Sequence, residues 1–225
     1  TFPMTVNHDD LWSFEGKNVP IHWHNDLEIN LIREGEAVFQ VYQKSYRVRT
    51  GEGFLLNRNV PHSCSSPGNE HVRYSTILVR PDFLYGDFGS DVERKCFQPF
   101  LQNSAIPCIH LTGFDENGKE ILWKLNQVEE AFDRKRFCYE LKIKGLLCEA
   151  FAMILYGHRQ ELTKFVPANL QELERLEKML NYLNMHFTEV ISLQDLADQV
   201  HLSREVCCRL FKKMTGKTIT GYLQE

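Results

Sequence analysis

The chain has 225 residues, a formal net charge of −4 at pH 7, 43% hydrophobic residues and 25% charged residues. This composition is typical of a globular protein, and the acidic balance argues against a protein that coats nucleic acid without selectivity. There is no apolar run of about 18 residues and no charged-then-apolar leader, so we expect a cytoplasmic protein with no membrane partner. The seven cysteines are scattered and form no CxxC pair, which favours reduced thiols.

Short β-strands are predicted from residue 21 to about residue 84. Segments rich in β-branched and aromatic residues alternate there with turn residues, such as Gly35, the step at 43–45 and Pro67-Gly68. Several short strands with regular turns indicate a β-barrel or sandwich. The predicted strands are residues 27–32, 37–42, 46–49, 53–57 and 72–79.

The hydrophobic period changes after Gly118. Apolar residues then recur at helical spacing in two segments, which predicts two antiparallel helices joined near Phe137. The second apolar face of such a hairpin must be covered either by the barrel or by the same hairpin of another chain. Both alternatives are open, and we expect a homodimer.

The best domain boundary is the stretch 159–168, which contains Pro167. Asn169 then has the features of a helix N-cap, with Glu172 three residues later, and a long helix should follow. We therefore divide the chain into a first domain at 1–160 and a second at 165–225.

The most specific pattern lies between Ser192 and Gly216. Ser192 and Ser203 each precede a short amphipathic helix, and only the three residues 201–203 separate the two helices. Gly216 is suited to end the second helix. Two short helices with facing apolar stripes and a three-residue turn predict a helix-turn-helix unit.

The face of the second helix opposite its apolar stripe carries basic side chains. Arg209 could donate two hydrogen bonds to guanine, Glu205 could accept one from cytosine, and the lysines near the helix end could reach phosphates. The alternative is an ordinary solvated basic face on a terminal helical hairpin. The predicted DNA-binding residues are Ser203, Arg204, Glu205, Cys208, Arg209, Lys212 and Lys213.

This part of the chain resembles the AraC/XylS family of transcriptional regulators. The resemblance rests on Ile191-Ser192-Leu193 followed by Leu196-Ala197, then on Leu202-Ser203, 209–213, 215–217 and Tyr222-Leu223. His201 stands where the family often has glycine. The resemblance implies two helix-turn-helix subdomains joined by a long helix, and the sequence ends at Glu225 near the start of that helix. We therefore expect a truncated DNA-binding domain with the first subdomain only.

A second pattern lies near the start of the predicted barrel. His22-Trp23-His24, Glu28 and Gly35 fit the HxHxxxExxxxxxG signature of cupin barrels, and His62 stands at the place of the histidine of that fold's second motif. On an extended segment, side chains two residues apart lie on the same face, so His22 and His24 would do so. Glu28, four residues after His24, would lie on that face as well. Three imidazoles and one carboxylate could hold iron, manganese or zinc.

Three interpretations of this pattern are open: a catalytic metal site, an effector pocket without metal, and buried histidines with a structural role. The second cupin motif lacks the PxG that usually precedes its histidine, and AraC-like regulators with barrel sensors often carry HxH…E at this place. We therefore expect an effector pocket that contains no metal or other cofactor and suits a small molecule such as a sugar. The predicted effector-binding residues are His22, His24, Glu28, Asn30 and His62.

Together these patterns predict an α+β protein, with an N-terminal cupin-like β-barrel and a two-helix hairpin followed by an all-α helix-turn-helix domain. Residues 1–160 should bind the effector and dimerise, and residues 165–225 should bind double-stranded operator or promoter DNA. The expected function is transcriptional regulation under effector control, with no catalytic residues. The alternative is a metal-dependent cupin enzyme.

Overall fold

The computed structural model describes residues 2–68, 71–167, 169–187 and 191–223. The predicted α+β class is confirmed, because antiparallel strands dominate the chain up to β9 and the long helices all follow them. Ala168 and Glu225, which ended the predicted linker and the chain, lie outside the described residues. The strands are β1 (Met4–Asp10), β2 (Asn18–His22), β3 (Leu27–Glu34), β4 (Glu36–Val41), β5 (Lys44–Arg49), β6 (Gly53–Leu56), β7 (His62–Ser65), β8 (Arg73–Val79) and β9 (Cys108–Leu111).

The strands form two antiparallel sheets. One has the order β1-β8-β3-β6-β9 and the other the order β2-β7-β4-β5. Buried side chains that include Phe39 and Phe54, whose rings stack with centroids 4.7 Å apart, form the core between the sheets. Side chains alternate along β3, so Ile29 packs with the helical layer while Ile32 packs in this inner core. By the same alternation, Glu28 is on the inner side of the sheet.

The sequence-predicted turn at 43–45 is wrong in position. Val41 pairs with Lys44, so the two turn residues are Tyr42 and Gln43. Tyr42 adopts a φ of 51°, in the left-handed region that tight hairpin turns require. The strand prediction also omitted β1, β2, β7 and β9.

Helices follow and flank the sheets. They are α1 (Pro81–Tyr85), α2 (Gln98–Leu101), α3 (Glu116–Arg134), α4 (Tyr139–Gly157), α5 (Arg159–Leu162), α6 (Leu170–His186), α7 (Leu193–Gln199), α8 (Arg204–Thr215) and α9 (Ile219–Leu223), with a π-helical turn at Glu93–Phe97 before α2. No helix among the described residues is both long and apolar enough to cross a membrane.

The predicted two-helix hairpin is formed by α3 and α4, which pack on the five-stranded sheet. Leu125, Leu147 and Phe151 are buried in the same cluster as Ile29 of β3. The barrel therefore covers one face of the hairpin, as one of the two predicted alternatives required. Large apolar side chains remain exposed on the hairpin, namely Trp123, Phe137, Leu141 and Tyr156.

Helices α6, α7 and α8 surround a separate core that contains Leu176, Leu196 and Phe211. The N-caps are those expected from the sequence, because Ser192 Oγ accepts hydrogen bonds from two backbone amides of α7 and Ser203 Oγ accepts one from α8. The predicted helix-turn-helix is thus present, and we call the part of the chain from α6 to α9 the head.

The head packs directly against the barrel. Ile21, Trp23 and Tyr42 of the barrel are partly buried against the head core. A Cβ atom at Gly216 would lie 2.6 Å from the backbone oxygen of Tyr42, which shows how closely the two backbones approach. The linker is also tied to the barrel side, because Asn103 Oδ1 accepts a hydrogen bond of 3.0 Å from the amide of Val166.

Candidate ligand site and DNA-binding surface

The four titratable residues of the HxH…E pattern and of β7 come together between the two sheets. His22 of β2 pairs with His62 of β7, Glu28 lies on β3 of the other sheet, and His24 lies on the connection between β2 and β3. One ligand atom from each side chain lies within 4.8 Å of the other three. We call these four residues the histidine cluster.

The orientation of each imidazole is fixed by the backbone. In all three rings Nδ1 lies at hydrogen-bond distance from a backbone oxygen: 2.9 Å from Pro20 O for His22, 3.1 Å from Asp26 O for His24, and 2.8 Å from Val60 O for His62. Because a carbonyl oxygen only accepts, Nδ1 of each ring carries a hydrogen. In a neutral ring the Nε2 atom then presents a lone pair to the cluster.

Glu28 is the anionic member of the histidine cluster. Its Oε2 lies 2.8 Å from His24 Nε2 and 3.3 Å from His62 Nε2, and its Oε1 accepts a hydrogen bond of 2.7 Å from Asn30 Nδ2. Asn30 Oδ1 in turn accepts a hydrogen bond of 2.9 Å from Thr76 Oγ1. Asn30 is fully buried, so it orients the carboxylate from behind.

The electrostatics of the histidine cluster favour an ionised carboxylate. Burial acts to raise the pKa of Glu28, but the contacts from His24, His62 and Asn30 outweigh burial and hold this pKa far below its usual range. Burial acts to lower the pKa of His24, and the neighbouring Glu28 more than offsets it, so the pKa of His24 is raised. Burial and the adjacent His62 lower the pKa of His22.

The donor set of the histidine cluster fits a divalent transition metal. His62 is 2% exposed, and among the described residues its Nε2 is a buried side-chain nitrogen without a hydrogen-bond partner. Three imidazole nitrogens and one carboxylate oxygen are ligands that zinc, iron and manganese accept. The backbone carbonyls that hold Nδ1 are the outer partners that such histidines need.

A second group of possible ligands, His8, Glu129 and Asp133, lies near the protein surface. Arg33 already forms an ion pair with Glu129, and His8 Nε2 lies 3.2 Å from Asp133. The guanidinium supplies a positive charge where a metal ion would have to bind. This group is therefore less suited to a cation than the histidine cluster.

A cavity of about 720 Å³ lies between the barrel and the head, apart from the histidine cluster. Tyr42, Tyr46 and Cys108 line it from the barrel, and Leu173 and Met214 line it from the head. No member of the histidine cluster is among its lining residues. The residues predicted to bind the effector are thus grouped together, but they do not line the large cavity.

All seven predicted DNA-binding residues are exposed on α8 or its N-cap. Cys207, Leu210 and Phe211 of the same helix are buried in the head core. Lys213 Nζ lies 2.6 Å from Glu172 Oε2 on α6, so this lysine also ties two head helices together. The rest of the basic face is directed away from the core: Ser203, Arg204, Glu205, Cys208, Arg209 and Lys212.

The barrel region is similar to a known protein family. A family model described as an AraC-like ligand binding domain matches residues 11–107, which include the entire histidine cluster. Residues 11–107 are thus similar to an AraC-like ligand binding domain.

Relatives extend the match over the head. YdeC of Bacillus subtilis, described as an uncharacterized HTH-type transcriptional regulator, is 27% identical over 208 residues, or 92% of this chain and 69% of YdeC. The HTH-type transcriptional activator RhaR of Escherichia coli is 23% identical over 215 residues, or 91% of this chain and 69% of RhaR. A crystal structure of ToxT from Vibrio cholerae with a bound unsaturated fatty acid covers 98% of this chain and 76% of ToxT, at 14% identity and a TM-score of 0.47.

The resemblance to AraC-type regulators is therefore confirmed, and the relatives support a transcriptional regulator with an AraC-like ligand-binding domain. Sequence reasoning missed the residues that join this domain to the head, which are Ile21, Trp23 and Tyr42. It also missed Thr76, which holds Asn30. The sequence did offer one sign of the contact with the head. The apolar residues Ile21 and Trp23 flank His22, which indicates that the two sides of this segment face different surroundings, the histidine cluster and an apolar surface.

Proposed function

We propose that this protein is a sequence-specific DNA-binding transcriptional regulator whose activity is controlled by a ligand of its AraC-like domain. The observation that carries the proposal is the helix-turn-helix, in which α8 is anchored by a buried stripe while its opposite face is exposed. Recognition helices present their N-terminal residues to base edges and use basic residues nearby to hold phosphates. We expect Arg209 to contact a base and Lys212 to bind the DNA backbone.

The test is selection of duplexes from a random library, followed by affinity measurements with variants. Arg209→Ala should weaken binding to the selected sequence by about 1–3 kcal/mol and relax preference at one base pair. Lys212→Ala should weaken binding to selected and random DNA alike and reduce the salt dependence. Arg136→Ala, at an exposed basic residue outside the head, is the control. Equal losses on selected and random DNA for Arg209→Ala would contradict base reading.

The ligand-responsive part of the proposal places the sensing site at His22, His24, Glu28, Asn30 and His62. Support comes from the burial of Glu28, Asn30 and His62, from the hydrogen bonds that Glu28 accepts from His24 and Asn30, and from the position of all five residues inside the matched region. A ligand that binds the folded state raises the melting temperature by mass action. A thermal-shift screen of sugars, organic acids and metal ions should therefore find a stabilising ligand, and Glu28→Gln should reduce that shift.

We also propose that the protein dimerises through the α3–α4 hairpin. Leu141 and Tyr156 of α4 are 72% and 68% exposed, and the adjoining Phe137 is fully exposed. Large exposed apolar side chains on one helical hairpin make it a candidate contact with a partner chain. Light scattering should give twice the chain mass, and Leu141→Glu should shift the protein to monomer without loss of helix content. A wild-type monomer at high concentration would refute the dimer.

A further inference from the structure

We propose that the ligand sensed at the histidine cluster is a divalent transition-metal ion, and that Ile21 and Trp23 transmit its binding to the head. The inference rests on the proposed function, because it gives a chemical class to the ligand of the AraC-like domain. It differs from the sequence-based expectation of a metal-free pocket. The reason is the arrangement of donors and acceptors in the histidine cluster.

In the histidine cluster three imidazole Nε2 atoms and one carboxylate converge, and His24 Nε2 donates a hydrogen bond to Glu28 Oε2, a hydrogen that a bound metal ion would displace. His22, His24 and His62 each use Nδ1 to donate to a backbone carbonyl, which leaves Nε2 as the atom that faces the cluster. Glu28 adds an anionic oxygen 2.8 Å and 3.3 Å from two of these nitrogens. Such a set is stabilised by a cation placed at its centre.

The size of the site favours an ion over an organic molecule. Atoms that share one metal ion lie within roughly 4 Å of each other, since metal–ligand bonds are about 2.0–2.2 Å long. The four ligand atoms lie within 4.8 Å of one another, so a small inward movement brings them onto one ion. The side chain of His24 is 25% exposed, which provides a route for entry from solvent.

The chain segment that carries two of the ligands, from the end of β2 to His24, also forms the contact with the head. His22 and His24 face the histidine cluster, whereas Ile21 and Trp23, which alternate with them, pack against the head core. A shift of the two histidines toward a bound ion therefore moves the backbone that holds Trp23. The side chain of Trp23 thus connects the sensing site directly to the head.

Metal binding is tested on the whole chain after treatment with a chelator. Titration with Co²⁺ should show one equivalent bound and visible d–d absorption, and Zn²⁺ should raise the melting temperature. Glu28→Gln and His22→Gln should each lower Co²⁺ affinity at least tenfold. His8→Gln is the matched control, because it removes a histidine from the surface group with Glu129 and Asp133; its affinity should stay within twofold of wild type.

Two results would overturn the metal site. One is the absence of a stoichiometric complex in a protein that circular dichroism shows to be folded. The other is a complex that His8→Gln abolishes and His22→Gln leaves intact. If Glu28→Gln fails to fold, His24→Gln provides the same test from a partly exposed position.

Transmission to the head is tested separately with Zn²⁺, which has no visible absorption of its own. Zn²⁺ should change the tryptophan emission of wild type, and Trp23→Phe should remove this change while Trp123→Phe keeps it. Zn²⁺ should also alter the rate of trypsin cleavage at Arg159 and Lys164 in the linker. Stoichiometric Zn²⁺ binding without either response would refute the transmission and leave the metal site standing. Failure to select DNA would instead count against the proposed regulator.

Discussion

Replacement of Gly216 by alanine should separate two energetic costs that the structure places at this residue. Gly216 ends α8 with a φ of 75°, and its amide donates to Lys212 O at 3.0 Å. An L-residue in this left-handed conformation costs about 1–2 kcal/mol. In addition, the new Cβ would lie 2.6 Å from Tyr42 O and from Gln40 Nε2 of the barrel. The glutamine side chain can rotate away, but the carbonyl belongs to the backbone of a hairpin.

An ordinary contact begins at 3.4 Å, so the head must move away from the barrel by about 0.8 Å or strain must accumulate. Overpacking of this kind costs typically about 1–3 kcal/mol. Gly51→Ala is the matched control, since Gly51 has a φ of 86° and nothing lies within 4 Å of its added Cβ.

Urea unfolding followed by circular dichroism should therefore show a loss of about 1–2 kcal/mol for Gly51→Ala and about 2–5 kcal/mol for Gly216→Ala. Linker cleavage by trypsin should accelerate only in the second variant. Equal losses in the two variants would refute the close approach of head and barrel.

Three further predictions concern single side chains. His201→Gly should raise the unfolding free energy by up to about 1 kcal/mol in urea melts, because His201 holds a φ of 52° in the turn. Asn57→Ala should lower it by about 1–3 kcal/mol, because buried Asn57 Nδ2 donates to two backbone carbonyls. Thr76→Val should weaken Co²⁺ binding by about tenfold while the fold persists, since Thr76 acts on Glu28 through Asn30; unchanged affinity would contradict this relay.

The sequence was most informative where local chemistry determines structure. The helix-turn-helix was predictable because Ser192 and Ser203 cap helices through neighbouring amides, and the apolar stripes of both short helices are buried, as their amphipathic spacing required. Strands β3 and β8 were predictable because buried aliphatic residues such as Ile29 and Ile77 recur along them. In contrast, β1 and β7 carry many polar side chains, and β-propensity alone gives no signal for strands of that kind.

The sequence predicted which residues form the histidine cluster, but it did not predict how their imidazole rings are oriented. Alternation brings His22 and His24 to one side, but the carbonyls of Pro20, Asp26 and Val60 that fix the imidazoles depend on the folded backbone. The packing of the head against the barrel could not be predicted from the sequence either. It depends on the left-handed turn at Tyr42, which tertiary packing places beside Gly216.

The contact between barrel and head is of a size that a ligand could control. Three barrel side chains, Ile21, Trp23 and Tyr42, cover the head core and remain only partly buried there. A tenfold difference in ligand affinity between docked and undocked states shifts their equilibrium by about 1.4 kcal/mol. Full burial of one large apolar side chain is worth about 1.5–3 kcal/mol. If a ligand displaces Trp23, the burial free energy that is lost is comparable to the difference in the ligand's binding free energy between the docked and undocked states. A larger interface would hold the head in place regardless of the ligand.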